Sequence, residues 1–556
     1  MKRCYFFAAC CLLIAACFSP AFAEFQKVTG NQLRDNYQGG CVWGDFTGDK
    51  FYDIIVFGTS GVEKIALFKN ENGTVDTQPL GTGITACRDG GIAAGDHDGD
   101  GILDIAITGF YGVDGIDGIL KIYRGSSGES FSEVFSGSEF QYSSLSWVDI
   151  DADGDLDLFV SGFVAPYYKT VCVYNNDSGF VEEAVSLPGF KSGDIAFGDY
   201  NQDGWPDLAI TGETDDTETV KSAVYKNLGY GEFEETVFIS TSLQNSSLAW
   251  FDYNADGNLD LFISGYEKSA SPEQRLYIYK NSGSPNYDLV YSTWLAGVKN
   301  GKIICGDINN NGYGDIFLVG ESSSGVGAFF YEYNSGTGKF ESGQSLPPLG
   351  KGSSAAFADY DGDGDIDLFY CGQDTDTAEG ESFLFENTCS TKNFAPPVAS
   401  NLAADVDAGY LVLGWDAPSD DHTDPAALNY SLMVATVSRS SSTLSGCIAS
   451  PFRGYNAPCR LNGSPGTIFA GITEGTTYFW NVRAIDAAGK AGHWADEQVV
   501  FVSGVPPSTV SNLTALPGTI DGEITLQWTA PGNDGTFGKC VSYEVKYSST
   551  ANTISN

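Results

Sequence analysis

The sequence predicts an all-β chain, and three observations carry the prediction. Gly, Tyr and Phe are plentiful, at 68, 29 and 36 of 556 residues, while Met occurs only 2 times and long helical heptads are missing. Short apolar runs alternate with polar residues and are bounded by Gly, Asn and Ser, which is the pattern of strands and hairpin turns. An acidic nonamer, best formed in Asp149-Ile-Asp151-Ala-Asp153-Gly154-Asp155-Leu-Asp157, recurs in whole or in part seven times. A chain of this length is expected to hold several domains.

The nonamers open at Asp45, Asp96, Asp149, Asp199, Asp252, Asp307 and Asp359, at intervals of 51, 53, 50, 53, 55 and 52 residues. Each unit reads alike. A small-and-apolar run such as Ser-Leu-Ser-Trp147-Val comes first, and the acidic loop follows. An alternating strand such as Leu158-Phe-Val-Ser-Gly162 is next, then a third such as Val171-Cys-Val-Tyr-Asn175. A Gly-rich turn leads to a fourth, as in Phe180-Val-Glu-Glu. Four short strands per unit of about fifty residues are the signature of propeller blades. The seventh unit runs into Pro396-Pro397 without a fourth strand, while Phe25-Gln-Lys-Val-Thr29 resembles Phe233-Glu-Glu-Thr-Val and precedes the first loop. The N-terminal segment is therefore expected to supply the outer strand of the last blade and close a seven-bladed ring.

Acids crowded into nine residues repel one another. At an effective dielectric near 20, two charges about 4 Å apart cost roughly 4 kcal/mol. A hard divalent cation with oxygen ligands removes that cost, and calcium is the usual occupant. An EF-hand shares the start of the pattern but needs a bidentate Glu at position 12 between helices. Position 12 here is Val56, Ile107, Val160, Ile210, Ile263, Leu318 or Tyr370, apolar every time, which excludes that motif. A lone Asp-x-Asp-Gly would read as a turn former that satisfies backbone amides without a metal. Seven aligned copies favour the metal.

Units such as Trp250-Phe-Asp-Tyr-Asn-Ala-Asp-Gly-Asn-Leu-Asp-Leu261 resemble FG-GAP/VCBS repeats, the family that builds the integrin α-subunit propeller. The resemblance covers about residues 24–392. It implies calcium held by side chains at loop positions 1, 3, 5 and 9 and by the carbonyl at 7. Carried over by position, the full sites are Asp96, Asp98, Asp100 and Asp104; Asp149, Asp151, Asp153 and Asp157; and Asp359, Asp361, Asp363 and Asp367. Asp199, Asn201, Asp203 and Asp207, and Asp252, Asn254, Asp256 and Asp260, each carry one neutral ligand. The first loop, with Asp45, Thr47, Asp49 and Asp53, places Lys50 where the glycine should be. The sixth, with Asp307, Asn309, Asn311 and Asp315, keeps two carboxylates. These two loops are the expected weak or empty ones.

Residues 1–23 read as a signal peptide: Lys2 and Arg3, an apolar run, then Ala21-Phe22-Ala23 before Glu24. A rival reading takes Ile14-Ala15-Ala16-Cys17 as a lipoprotein box acylated at Cys17. Either way the protein is expected to be secreted or at the cell surface, and no later stretch approaches the ~18 apolar residues of a membrane span. Nine of 13 cysteines lie beyond the leader. Export permits disulfides, with Cys447 and Cys459 the favoured pair and Cys172, Cys305 and Cys371 expected as buried thiols. With 72 acidic against 29 basic residues, the charge of −43 argues against nucleic acid or an anionic membrane as partner.

After Pro396-Pro397 the period changes. Leu411-Val-Leu-Gly-Trp415, Tyr430-Ser-Leu-Met-Val and Thr477-Tyr478-Phe-Trp480-Asn-Val482 are strands at sandwich spacing. Tyr478 suits a tyrosine corner. Residues 394–504 resemble a fibronectin type III domain, and residues 505–556 resemble the start of a second, incomplete one, which suggests a longer protein. The three histidines, His97, His422 and His493, have no nucleophile arrangement beside them, and neither a Gly-x-Ser-x-Gly elbow nor zinc spacing occurs. The expected function is therefore non-catalytic: a calcium-stabilised propeller presenting a surface to an extracellular protein or glycan ligand, with fibronectin-like spacers. The alternative is a lectin or polysaccharide-active enzyme. For Trp147 and Trp250, packing in the blade core is expected over stacking on a sugar.

Overall fold

The computed structural model describes residues 24–502, 510, 513–517 and 524–529, apart from residues 30–32, 34–35, 113–116, 128, 177–178, 215–218, 230, 240, 269, 284–286, 292–294, 408, 437, 439–446, 450–459, 462–463 and 470–471. The predicted leader with Cys17, the Cys447–Cys459 pairing and residues 530–556 of the second C-terminal unit lie outside the described residues.

Every regular element among the described residues is a strand. Between residues 25 and 387 the strands form seven antiparallel sheets in chain order. The third is representative, with Gln141–Val148, Asp157–Val164, Tyr167–Tyr174 and Val181–Ala184 side by side. Leu158 pairs with Trp147 on one flank and Val173 on the other. The alternation read from sequence therefore sets the register, because a one-residue slip would turn the apolar set to the wrong face. All seven position-12 residues lie on buried second strands, Val160 and Ile263 among them.

Two sheets differ from the rest. The first has only Tyr37–Gly44, Asp53–Thr59 and Glu63–Phe68, with isolated bridges from Leu67 to Leu80 and from Asn70 to Val75 where a fourth strand was expected. Pro79 beside Leu80 has no N–H to donate, so a ladder cannot extend there. In the seventh, Ser354–Ala358, Asp367–Gln373 and Gly380–Asn387 are completed by Phe25–Lys27, with Phe25 opposite Asn387 and Lys27 opposite Phe385. This is the closure that the N-terminal residues predict. Phe25 is 3% exposed, and its ring meets Phe330 at 5.5 Å and Phe385 at 6.4 Å.

The first strands line a common axis. Each lies beside the first strand of the next sheet, and that of the seventh beside that of the first. The Gln38 N–H donates to Gly352 O across this last junction at 3.0 Å. The apolar core lies between sheets rather than within one. Val148, Ile150, Phe159 and Cys172 of the third pack on Ile195, Phe197, Leu208 and Ile210 of the fourth. Ile54 and Val56 of the first pack on Phe369, Cys371 and Leu384 of the seventh. Trp147 and Trp250 are buried in these layers, donating to Ala93 O and Ala196 O of the preceding sheet. They do not offer a sugar platform, and the expected packing in the blade core is what the structure shows. Cys172 and Cys371 are buried thiols, as expected, and Cys305 is a partly buried one.

Beyond residue 394, two four-stranded sheets face each other. One holds Ser400–Asp407, Tyr410–Asp416, Ser464–Phe469 and Arg460–Leu461; the other holds Cys447–Ala449, Asn429–Ala435, Thr477–Ile485 and Gln498–Phe501. Leu411, Leu413, Trp415, Leu432, Val434, Trp480 and Val482 form their shared core. The Thr473 N–H donates to the Tyr478 hydroxyl at 2.8 Å, which is the backward bond expected of that tyrosine. This unit touches the ring of sheets on the acidic-loop side. Asp307 N–H donates to Ala487 O at 3.2 Å, Asn393 Nδ2 donates to Asp486 Oδ2 at 2.8 Å, and a Cβ at Gly312 would collide with the His422 carbonyl.

Candidate metal centres

The seven acidic loops, loops 1 to 7 below, join the first and second strands of their sheets. Their backbone follows from three residues. The position-1 carboxylate accepts N–H groups across the loop: Asp199 takes Asp203 N–H at 3.0 Å and Gly204 N–H at 2.9 Å, and Asp252 takes Asp256 and Gly257 at 3.1 and 2.7 Å. Position 6 has a left-handed backbone, φ 99° at Gly154 and 102° at Gly364, where only glycine is unstrained. Lys50 adopts φ 78° in loop 1 against that preference. Asp53, Asp104, Asp157, Asp207, Asp260, Asp315 and Asp367 at position 9 are buried at the base.

Four loops bring three carboxylates together with one oxygen of each within 4.8 Å of the others: Asp96, Asp98 and Asp104; Asp149, Asp151 and Asp153; Asp199, Asp203 and Asp207; and Asp359, Asp361 and Asp367. Asp100 and Asp363 stand outside their clusters, and the buried Asp157 is not one of the three in its own. Among the described residues, loops 1, 5 and 6 form no such cluster. In loops 4 and 5 the position-3 asparagine turns its amide onto the base: Asn201 Nδ2 donates to Asp207 Oδ2 at 2.7 Å, and Asn254 Nδ2 to Asp260 Oδ2 at 2.9 Å. Asp45 of loop 1 accepts Gly48, Asp49 and Lys50 N–H, position-1 folding bonds like those of loops 4 and 5. In loop 6, Asn309 Nδ2 donates to Glu332, Asn311 Oδ1 accepts Tyr313 N–H, and Ala487 covers Asp307. The sequence departures of that loop thus coincide with its burial under the C-terminal unit.

The cost of clustering appears in the proton affinities. Burial, chiefly, and then the neighbouring Asp151 and Asp149 push Asp153 up to about 8. Burial and Asp203 push Asp199 to about 8, and burial raises Asp104 to about 8 and Asp367 to about 9. Asp157 and Asp207 are raised well above the usual carboxylate range for the same reasons. Asp359 Oδ1 is buried with no hydrogen-bond partner. An all-oxygen donor set with an orphaned, buried carboxylate oxygen fits a hard cation such as calcium.

Two groups of residues at these centres carried no assignment from sequence. The position-9 carboxylate is bound in every sheet by one N–H at the end of the third strand: Asn70, Gly125, Asn175, Asn227, Asn281, Tyr333 or Asn387, at 2.8–2.9 Å. Where that residue is asparagine, its side chain also latches the preceding sheet's loop. Asn175 Nδ2 donates to His97 O, Asn227 to Ile150 O, Asn281 to Tyr200 O, Asn387 to Ile308 O and Asn70 to Tyr360 O, the last across the ring closure. The residue before it is often a cation on the loop. Lys226 Nζ lies 2.7 Å from Asp203 and Lys280 Nζ 3.0 Å from Asp256, while Arg124 reaches Asp98 at 2.6 Å and Asp100 at 2.9 Å. The signal was present in Tyr-Lys-Asn227 and Tyr-Lys-Asn281, whose recurrence reads as strand ending until the pairing is known.

Residues 45–107, 199–263 and 307–370 match the family model described as FG-GAP-like repeat. No curated protein matches the chain. Among solved structures, a crystal structure of a triple arginine-to-alanine mutant of AofleA from Arthrobotrys oligospora is similar, at 13% identity and a TM-score of 0.34, covering 59% of this chain and 92% of that one. Each matched stretch spans two successive acidic loops and the strands between them, and these three stretches are FG-GAP-like repeats in a β-propeller-like series of sheets.

Proposed function

We propose that residues 24–392 form a seven-bladed, calcium-stabilised β-propeller that presents a ligand-binding surface outside the cell, followed by a fibronectin type III spacer at 394–504. The observation that carries the reading is the set of four three-carboxylate clusters, each with at least one buried member and each built by the same nonamer at the same place in its sheet. Asp96, Asp98 and Asp104, Asp149, Asp151 and Asp153, Asp199, Asp203 and Asp207, and Asp359, Asp361 and Asp367 would hold the ions. Bound calcium supplies the positive charge that the clustered acids lack. The chain's own residues do the rest: the position-1 aspartate folds the loop, and the asparagine latch ties it to the next blade. Extracellular modules of this kind work with dissociation constants of about 10⁻⁴–10⁻³ M.

The ligand surface is best placed at the opposite mouth of the central channel, a cavity of about 590 Å³ lined by the first strands. Gln38, Asp89, Tyr142, Asn245, Asn300 and Lys351 ring that mouth. Amides and a 44% exposed tyrosine suit hydroxyl-rich ligands, which keeps a lectin as the second reading. The facing sheets and the Tyr478 bond support the fibronectin-like assignment, and the described residues contain no helix long and apolar enough to cross a membrane. The reading includes no catalytic step. Equilibrium dialysis with calcium tests the metal, with uptake of at least one ion expected and none contradicting it. A glycan array separates the ligand classes: selective sugar binding lost in Tyr142→Ala supports the lectin, and silence with retained protein binding supports adhesion.

A further inference from the structure

The loops differ at one structurally equivalent position outside the nonamer, the residue just before the third-strand N–H that binds the position-9 carboxylate. It is Lys69, Arg124, Tyr174, Lys226, Lys280, Glu332 and Glu386 in loops 1 to 7. All four cations there reach loop carboxylates. Lys69 Nζ is 3.5 Å from Asp49 and 3.2 Å from Glu129, shared between the two; Arg124 bridges Asp98 and Asp100; Lys226 and Lys280 sit on Asp203 and Asp256. The loop aspartate oxygens are ones that calcium would need. A tethered ammonium or guanidinium is at high effective concentration, so an incoming ion must displace it before binding.

Resting on the calcium reading above, we propose that this position decides each loop's demand for a divalent ion. Lys69, Arg124, Lys226 and Lys280 are resident counter-ions for loops 1, 2, 4 and 5. Loops 3 and 7, with four ligand-position aspartates each and Tyr174 or Glu386 at the deciding position, are the tight calcium sites. Loop 2 makes the point most clearly. It has aspartate at the same four ligand positions as loop 3, but carries Arg124 at the deciding position and Ile102 where loop 3 has Asp155. Lys490 approaches loop 7 from the C-terminal unit and its charge acts on Asp359, but its ammonium donates to Asn393 O at 3.3 Å rather than bridging loop carboxylates as Arg124 does. Loop 6, with two asparagines and the C-terminal turn over Asp307, falls in neither class.

Calorimetric titration of the full chain with calcium tests the assignment. Wild type is expected to take up two tight equivalents, with further uptake at least about tenfold weaker. Arg124→Met should raise the tight count to three, Arg124→Lys should leave it at two, and Tyr174→Lys should lower it to one. Arg124 is about half exposed, so its substitution leaves the fold intact, which an unchanged circular dichroism spectrum would verify. A tight count that ignores Arg124→Met, or four or more equal sites in wild type, overturns the proposal while leaving calcium binding itself standing. No calcium uptake at all overturns both.

Discussion

Asn281 shows how much one side chain carries at these centres. Its backbone N–H holds Asp260, its Nδ2 reaches Tyr200 O at 2.9 Å in the preceding sheet, and its Oδ1 accepts Gly283 N–H at 3.0 Å. Asn281→Ala strands a buried carbonyl, and the expected loss is about 1–3 kcal/mol, read as a lower melting temperature. The aspartates of the loops were legible because carboxylates held in one register, loop after loop, repel unless a cation sits among them. The latch was not, because asparagine at a strand end also reads as a turn residue, and only the fold brings Asn70 to Tyr360. Protonation gives a second expectation at this scale. Asp153, Asp199 and Asp367 rise to about 8, 8 and 9 in the folded chain, from an ordinary value of 3.8. Between about pH 4 and pH 9 the folded, metal-free chain therefore holds protons that the unfolded chain has released, and its stability falls as pH rises. Calcium needs the ionised form, so its stabilisation grows over the same window. Melting at pH 5 and pH 8.5, with chelator and with calcium, should show opposite trends in the calcium-induced shift and the metal-free stability.

The element that decides closure is the shortest. Phe25–Lys27 contributes three residues of strand, yet it supplies the outer edge of the seventh sheet and buries Phe25 between Phe330 and Phe385. Gln344 fixes it from the sixth sheet's side, accepting Phe25 N–H at 2.7 Å and donating to Phe25 O at 2.9 Å. Phe25→Ala is expected to cost about 3–5 kcal/mol, and deletion of residues 24–29 more, measured by urea unfolding. An unchanged midpoint would contradict this role. The strand was readable because Phe25-Gln-Lys-Val repeats the composition of other fourth strands and the seventh unit lacks one. The missing fourth strand of the first sheet was less readable, since Leu80 continues the apolar pattern and only Pro79 argues against a ladder.

For the whole molecule, the repeat period was the most legible property and the contacts between units the least. Seven equally spaced loops imply seven like sheets, and the second strands are buried as their apolar position 12 requires. Nothing local in Asp486-Ala-Ala-Gly489 announces that the Ala487 carbonyl meets loop 6 and the Asp486 carboxylate meets Asn393, nor that His422 abuts Gly312. That docking explains why the loop with fewest acids is the covered one, since burying four carboxylates there would be far costlier than burying two. The central claim is that a ring of sheets this acidic depends on calcium in its loops. Thermal melting of the full chain at neutral pH, in excess calcium and then in chelator, tests it most directly. Two sites at 100 times their dissociation constants contribute about 5 kcal/mol, so chelation should lower the melting temperature by about 10 °C or more; an unchanged melting temperature would contradict the account.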